Sequence, residues 1–261
     1  MKSIKKYLAT IALVSALGAA GSANATLTNW YLDTDGAGGN PAVLVKDYLD
    51  LTGRSYVHNT FSSPTNFTFN ESGQFTTFSA DGITPLSPVL NANFTGSGAG
   101  NVGGQLLFSG GTLTVFSGIT QIGTFTLTSG SANLNAGTVL PNGAVSLIFT
   151  ATSLAAGYFF NSAMTDLSTL LAAPGGLVFG FATTNVISLA DGTVTIDPSL
   201  LNLYNTAFNP DQPAGVVANA TTDLLLSNNG QFRLQVPEPG SLALIGIGLL
   251  GFVGLRRRRS E

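Results

Sequence analysis

Through the middle of the chain, short runs of alternating apolar and polar residues recur, each closed off by Gly, Asn, Asp or Pro. In Thr112-Leu-Thr-Val-Phe116 the alternation puts Leu113 and Val115 on one face and the threonines on the other. A period of two is the signature of a strand half-buried in a sheet, because successive side chains leave a strand on opposite faces. Asn66–Asn70 and Gln74–Phe78 flank a turn-like break at Glu71-Ser72-Gly73. Gln105–Phe108 and Thr112–Phe116 flank Ser109-Gly110-Gly111, which reads as a hairpin turn. Ile119–Leu127, Val145–Ala151, Leu177–Ala182, Thr193–Ile196, Asp223–Ser227 and Gln231–Val236 complete the set of predicted strands. Regularly spaced strands of this kind predict an all-β domain, sandwich-like or barrel-like.

Three stretches depart from the pattern. Met164–Ala173 predicts one short helix, with Ser162 as its N-cap and Pro174-Gly175-Gly176 as its stop. Asn40–Gly53 carries helix punctuation at both ends, but Val43, Val45, Leu49 and Leu51 alternate, which favours strand. Asn202–Ala220, with Pro210 and Pro213, predicts a long loop.

The two ends are of another kind. Lys2, Lys5 and Lys6 precede an apolar run from Leu8 to Ala20 and a small-residue site, Ala23-Asn24-Ala25. That is a secretory signal peptide, cut before Thr26. At the other end Gly240–Leu255 holds sixteen uncharged residues, which as a helix would span roughly 24 Å, short of a hydrocarbon core of about 30 Å. Arg256, Arg257, Arg258 and Arg259 would hold its far end in the cytoplasm, and Pro237 and Pro239 fence it off from what precedes. Glycines at 248, 251 and 254 leave one bare helical face.

Three domains follow: a signal peptide at 1–25, an exported β-rich domain at 26–235, and a C-terminal segment at 236–261. About 210 residues suffice for a core that needs no staples, and the chain contains no cysteine. Within 26–235 the bases are Lys46, Arg54 and Arg233 against eleven acids, a formal charge of −8. Three scattered bases cannot neutralise a row of phosphates, so nucleic acid is excluded as a partner. Polar surface is supplied by Ser, Thr, Asn and Gly.

Several constellations suggest chemistry. Gly98-Ala-Gly100-Asn-Val-Gly103 matches the spacing of a dinucleotide loop, but a short strand-like run follows it where a helix is required, so it reads as a turn. Asp33-Thr-Asp35-Gly36 resembles the start of a calcium loop. Its fifth position is Ala37 and its twelfth Leu44, so only a partial site, completed by Asp47 or Asp50, is open to it. An acidic surface turn is the commoner outcome. Calcium is the one cofactor in question. His58 is the single histidine; no Gly-x-Ser-x-Gly elbow accompanies it, which favours a structural role. Glu71 is the one glutamate between residues 26 and 235, and no spacing of carboxylates marks a hydrolase pair. Trp30, Tyr31, Tyr48 and Tyr56 offer faces for sugar rings but more often serve packing.

Val236-Pro237-Glu238-Pro239, the short apolar helix and the arginine cluster, in that order, resemble the PEP-CTERM sorting signal of Gram-negative bacteria. The resemblance implies recognition by an exosortase, transient anchoring in the inner membrane, and cleavage near Pro-Glu-Pro, after which the protein stays at the cell surface or in the extracellular matrix. In that setting the Asn-x-Ser/Thr sequons at Asn66, Asn70, Asn93 and Asn219 are products of composition.

The body resembles flocculation-associated PEP-CTERM proteins, through Asp33-Thr-Asp-Gly-Ala-Gly-Gly39, Gly157-Tyr-Phe-Phe160 to Asp166-Leu-Ser-Thr-Leu-Leu171, Gly176–Ala182 and Asn229-Gly-Gln-Phe-Arg233. This implies a non-enzymatic matrix protein that associates with exopolysaccharide in flocs or biofilms, with no catalytic residues. A secreted enzyme acting on matrix polysaccharide and a calcium-stabilised adhesion module are the alternatives.

Overall fold

Along the longest strand the inner positions read Leu90, Ala92, Phe94 and Gly96, and the outer ones Asn91, Asn93, Thr95 and Ser97. Such a strand has one face to bury, and the chain buries it by wrapping the sheet around itself. The computed structural model describes residues 24–26, 29–36, 42–134, 142–174, 176–189, 193–209, 212–218 and 222–237. Its strands are β1 (Asn24–Thr26), β2 (Trp30–Leu32), β3 (Val43–Val45), β4 (Leu49–Phe61), β5 (Asn66–Ala80) and β6 (Thr84–Asn101). They continue as β7 (Gln105–Ser117), β8 (Thr120–Leu134), β9 (Asn142–Leu154), β10 (Phe159–Phe160), β11 (Phe179–Ser188) and β12 (Asp223–Pro237). Two helices, α1 (Leu167–Ala172) and α2 (Pro198–Phe208), interrupt them. Thr26–Gln235 forms one compact unit.

β4 to β9, β11 and β12 lie side by side, and β12 pairs back onto β4, so eight antiparallel strands close a barrel. An eight-stranded barrel has a lumen just wide enough for side chains to fill. Here phenylalanines fill it. Phe94 meets Phe149 edge-on at 6.2 Å and Phe108 at 6.1 Å, and Phe125 meets Phe232 at 5.5 Å. A small sheet, β10-β2-β3, adds the buried Trp30, Leu32 and Val45, and Phe159 on β10 lines the lumen itself.

The helix α2 lies on the outside of the wall. Leu200, Leu201 and Tyr204 pack with Tyr56 of β4 and Leu225 of β12 into a second core of buried residues. The Ser72 hydroxyl donates to the Leu200 carbonyl at 2.9 Å, tying the helix to β5. The helix begins as its sequence dictates, with Asp197 accepting from the Ser199 amide and Pro198 in the first turn.

The structure is all-β and barrel-like, as the alternation predicts, but it corrects several local expectations. Ser109-Gly110-Gly111 is not a hairpin turn: β7 runs through it, and Ser109 is an extra residue bulged between the pairs Ser97–Gly110 and Gly98–Phe108. Glycine is needed there because a Cβ at Gly111 would sit 2.6 Å from the Thr95 carbonyl oxygen. Glu71-Ser72-Gly73 is likewise continuous strand; Gly73 leaves room for the ring of Phe75, which a Cβ would meet at 2.7 Å. Asp223–Ser227 and Gln231–Val236 are one strand, and Thr193–Ile196 makes only an isolated bridge, Thr195 to Val217. The predicted helix is shorter, with Asp166 in place of Ser162 as its cap, and the loop expected from Asn202 begins as α2. Asn40–Gly53 supplies β3 and the start of β4. The signal peptide through Ala23 and the apolar segment 240–255 lie outside the described residues.

Truncating Phe94 to alanine removes the ring that joins both sides of the lumen and should cost about 3–5 kcal/mol. Truncating its outward neighbour Thr95 should cost no more than about 0.5 kcal/mol. Urea unfolding of the full chain in detergent, followed by circular dichroism, measures the difference.

Candidate functional site

The seam between β4 and β12 carries polar side chains on both faces. On the outside, Asp223 of β12 gathers three donors. Tyr56 reaches Oδ1 through its hydroxyl at 2.6 Å, His58 reaches the same oxygen with Nδ1 at 2.8 Å, and the Thr222 hydroxyl reaches Oδ2 at 2.8 Å. Burial pushes the Asp223 carboxyl up, but these hydrogen bonds and the His58 ring outweigh it and hold it below the usual carboxylate range. Burial, with the carboxylate beside it, raises the Tyr56 phenol far above its ordinary value, so it remains a donor. Tyr204 of α2 closes over the group, edge-on to Tyr56 at 4.9 Å and to His58 at 6.2 Å. Tyr56 therefore belongs to packing and the seam, as does Trp30 to the core, and neither ring is presented to solvent.

On the inside of the same seam lies Glu71. It accepts from Ser55, whose hydroxyl oxygen in turn accepts from the Asn228 amide at 3.1 Å, while Thr184 stands 3.5 Å from the Asn228 carbonyl oxygen. Four residues on β5, β4, β12 and β11 thus form one polar chain inside a lumen otherwise lined by Leu and Phe. The carboxyl faces a chamber of about 60 Å³ bounded by Leu51, Phe94, Phe149 and Phe232, and burial pushes its pKa up to about 7 despite the Ser55 hydrogen bond.

The outer wall away from α2 is rich in hydrogen-bonding amides and hydroxyls, with Asp50 and the Asp47–Arg233 pair beside them. Register places Asn185, Asn229, Thr52, Thr76 and Asn91 directly opposite one another across β11, β12, β4, β5 and β6. Strands about 4.8 Å apart make this a ladder roughly 19 Å long. Beside it Asp50, Thr183, Asn185, Asn229 and Gln231 line a groove of about 360 Å³. Asp50 bounds one side, held by the Ser79 hydroxyl at 2.6 Å and the Gly82 amide at 2.7 Å.

Other predicted positions fall as follows. Asp33 is buried, and its Oδ1 accepts from the amides of Asp35 and Gly36 at 3.1 and 3.0 Å, the geometry of an Asx turn. Asp47 is paired with Arg233 at 3.2 Å and Asp50 faces Ser79, so the structure does not bring them to Asp33. Among the described residues no three His, Cys, Asp or Glu side chains converge on one point. Gly98–Asn101 ends β6, and Gly103, at φ +75°, turns the chain into β7. Tyr48 stacks under Arg233, 5.8 Å from its guanidinium carbon. Ala25 and Thr26 lie in β1 and Val236 and Pro237 end β12. Ala23, Glu238, Pro239 and Arg256 to Arg259 lie outside the described residues. Among the described residues no helix is long and apolar enough to cross a membrane.

The clip on Asp223 was not visible in the sequence, because its partners lie 165 and 167 residues away. Substituting Asp223→Asn should cost about 1.5–3 kcal/mol, the range for hydrogen bonds to a charged group. A carboxyl held low in the folded state contributes stability that is complete above the unfolded value of about 3.9 and is lost as pH falls through the folded value. Thermal midpoints of the full chain between pH 6 and pH 2 should therefore converge for wild type and D223N at the acid end.

A family model described as the PEP-CTERM protein-sorting motif matches residues 235–259. No curated protein and no solved structure matches the chain. The resemblance to flocculation-associated proteins has no counterpart in these comparisons. The match begins within the closing strand of the barrel and runs through the Pro-Glu-Pro, the apolar run and the arginines. The chain therefore carries a PEP-CTERM protein-sorting motif at its C-terminal end, and that motif implies export and a C-terminal anchor processed by exosortase.

Proposed function

We propose that the barrel is a non-enzymatic protein of the extracellular matrix, which binds exopolysaccharide through its outer wall once exosortase has processed the tail, and so helps hold cells in flocs or biofilms. The observation that carries this reading is the ladder of amides and hydroxyls across five strands, with its adjoining groove. Side-chain amides and hydroxyls both donate and accept, as sugar hydroxyls do, and they lose little on leaving water when each bond is replaced. The ladder itself is uncharged, which suits a hydroxyl-rich polymer.

Rigidity supports the reading further. A surface fixed in a closed barrel spends no backbone ordering entropy when it binds, so shallow contacts repeated along a polymer add up. The lumen, by contrast, is filled with phenylalanine and offers a polysaccharide no entry.

The test combines a cellular and a molecular measurement. A deletion strain should settle more slowly and shed polymer into the medium, and the intact gene should restore both. A chain with N185A, N229A and Q231A should keep its circular dichroism spectrum and lose at least tenfold in sedimented polymer from the same strain. Unchanged settling with unchanged polymer partition would dismiss the matrix role. Normal polymer binding by the triple variant would dismiss this face as its site.

A further inference from the structure

We propose that Glu71 is a proton-controlled latch on the barrel's closing seam: neutral, it sits within the wall formed by β4, β5, β11 and β12; ionised, it draws water into the lumen and loosens that wall. The inference is independent of what the outer face binds.

Geometry is the ground for it. Glu71 is the one glutamate of the domain, and it points into the lumen instead of outward. Its chamber, at about 60 Å³, is well below the ~150 Å³ that admits benzene, so it is no calyx for an organic ligand, yet it is large enough for water. The chain Glu71–Ser55–Asn228–Thr184 crosses the β12–β4 closure, so whatever disturbs Glu71 acts where the first and last strands of the barrel meet.

No countercharge is at hand inside. β4 presents Ser55, β11 Thr184 and β12 Asn228, while the chamber-lining residues described on β6, β7, β8, β9 and β10 present only carbon. The charged and titratable groups nearest along these strands, Arg54, His58 and Asp223, occupy outward positions, and α2 with Tyr204 packs on that outer side. An ionised Glu71 would therefore be a charge with no countercharge in a largely apolar lumen, which a protein relieves by protonation or by admitting water.

The sign follows. A carboxyl raised from 4.5 to about 7 binds its proton more tightly in the folded state. Its proton uptake favours folding below the unfolded value, and that advantage declines as pH rises through 5 to 7. Between pH 5 and pH 8 the unfolding equilibrium constant should rise on the order of 100-fold through this group alone.

The test uses the full chain in detergent. With carboxyl-labelled glutamate, three resonances are expected, and the one that E71Q removes should titrate near neutrality, well above the ~4.3 of an unperturbed glutamate. Wild-type thermal midpoints should fall further between pH 5 and pH 8 than those of E71Q, since whatever His58 and Asp223 contribute is common to both. Amides of Ser55 and Asn228 in wild type should exchange faster at pH 8 than the intrinsic pH dependence requires. A Glu71 resonance that titrates at the ~4.3 of an unperturbed glutamate overturns the proposal, as do parallel midpoints for wild type and variant. If E71Q fails to fold, the three wild-type resonances and the exchange rates alone decide.

Discussion

Everything else in this domain depends on the pairing of β12 with β4. Ten residue pairs, from Asp223–His58 to Phe232–Leu49, join the first barrel strand to the last. Until they form there is no lumen, and the phenylalanines of the intervening strands have only half of their neighbours. The loop to be closed exceeds 160 residues, and its entropy must be met before any contact across it stabilises the fold. Polar side chains on both faces of this seam make chemical sense in that light. Burial of one face already forbids a one-residue slip, which would turn every side chain over. Directional bonds from Tyr56, His58 and Thr222 to one carboxylate, and from Asn228 to Ser55, also penalise a two-residue slip, which keeps the same faces inward.

The polarity of the wall follows from the same closure. Transmembrane barrels carry an apolar band outside and polar residues within. Here the order is reversed on β6, with Leu90, Ala92, Phe94 and Gly96 inside and Asn91, Asn93, Thr95 and Ser97 outside. At Tyr56 and Leu225 the outer wall is apolar and α2 covers it, while Phe78, Leu107 and Ile187 stand exposed on other strands. Among the described residues, the lumen is the dry side of the wall.

How much of this was legible in the sequence depended on how far apart the interacting residues lie. Alternation is local, and Thr112–Phe116 declares a strand without reference to anything else. Glycine is ambiguous locally. Gly73 and Gly110-Gly111 look like turns in one dimension, because the Phe75 ring and the Thr95 carbonyl that require them are recognised only once strands are side by side. That error propagated, since a turn at Glu71-Ser72-Gly73 breaks the count of inward and outward positions and hides the lumen side of Glu71. The start of α2 was readable, for Asp197-Pro198 is a cap followed by a first-turn proline; the later prolines 210 and 213 obscured it. The seam cluster was beyond reach, because nothing near His58 in sequence announces Asp223. The sorting signal is the opposite case, a contiguous motif whose meaning does not await a fold.

The closing strand ends at Val236-Pro237, inside the region the sorting motif covers. Pro237 is thus both the last residue of the closing strand and the first proline of the sorting motif. A proline has no amide hydrogen to give a neighbouring strand, so the residue that opens the Pro-Glu-Pro is also one that adds no donor to the ladder. Strand end and sorting signal meet in a single residue, and a substitution chosen to test one of them alters the other as well.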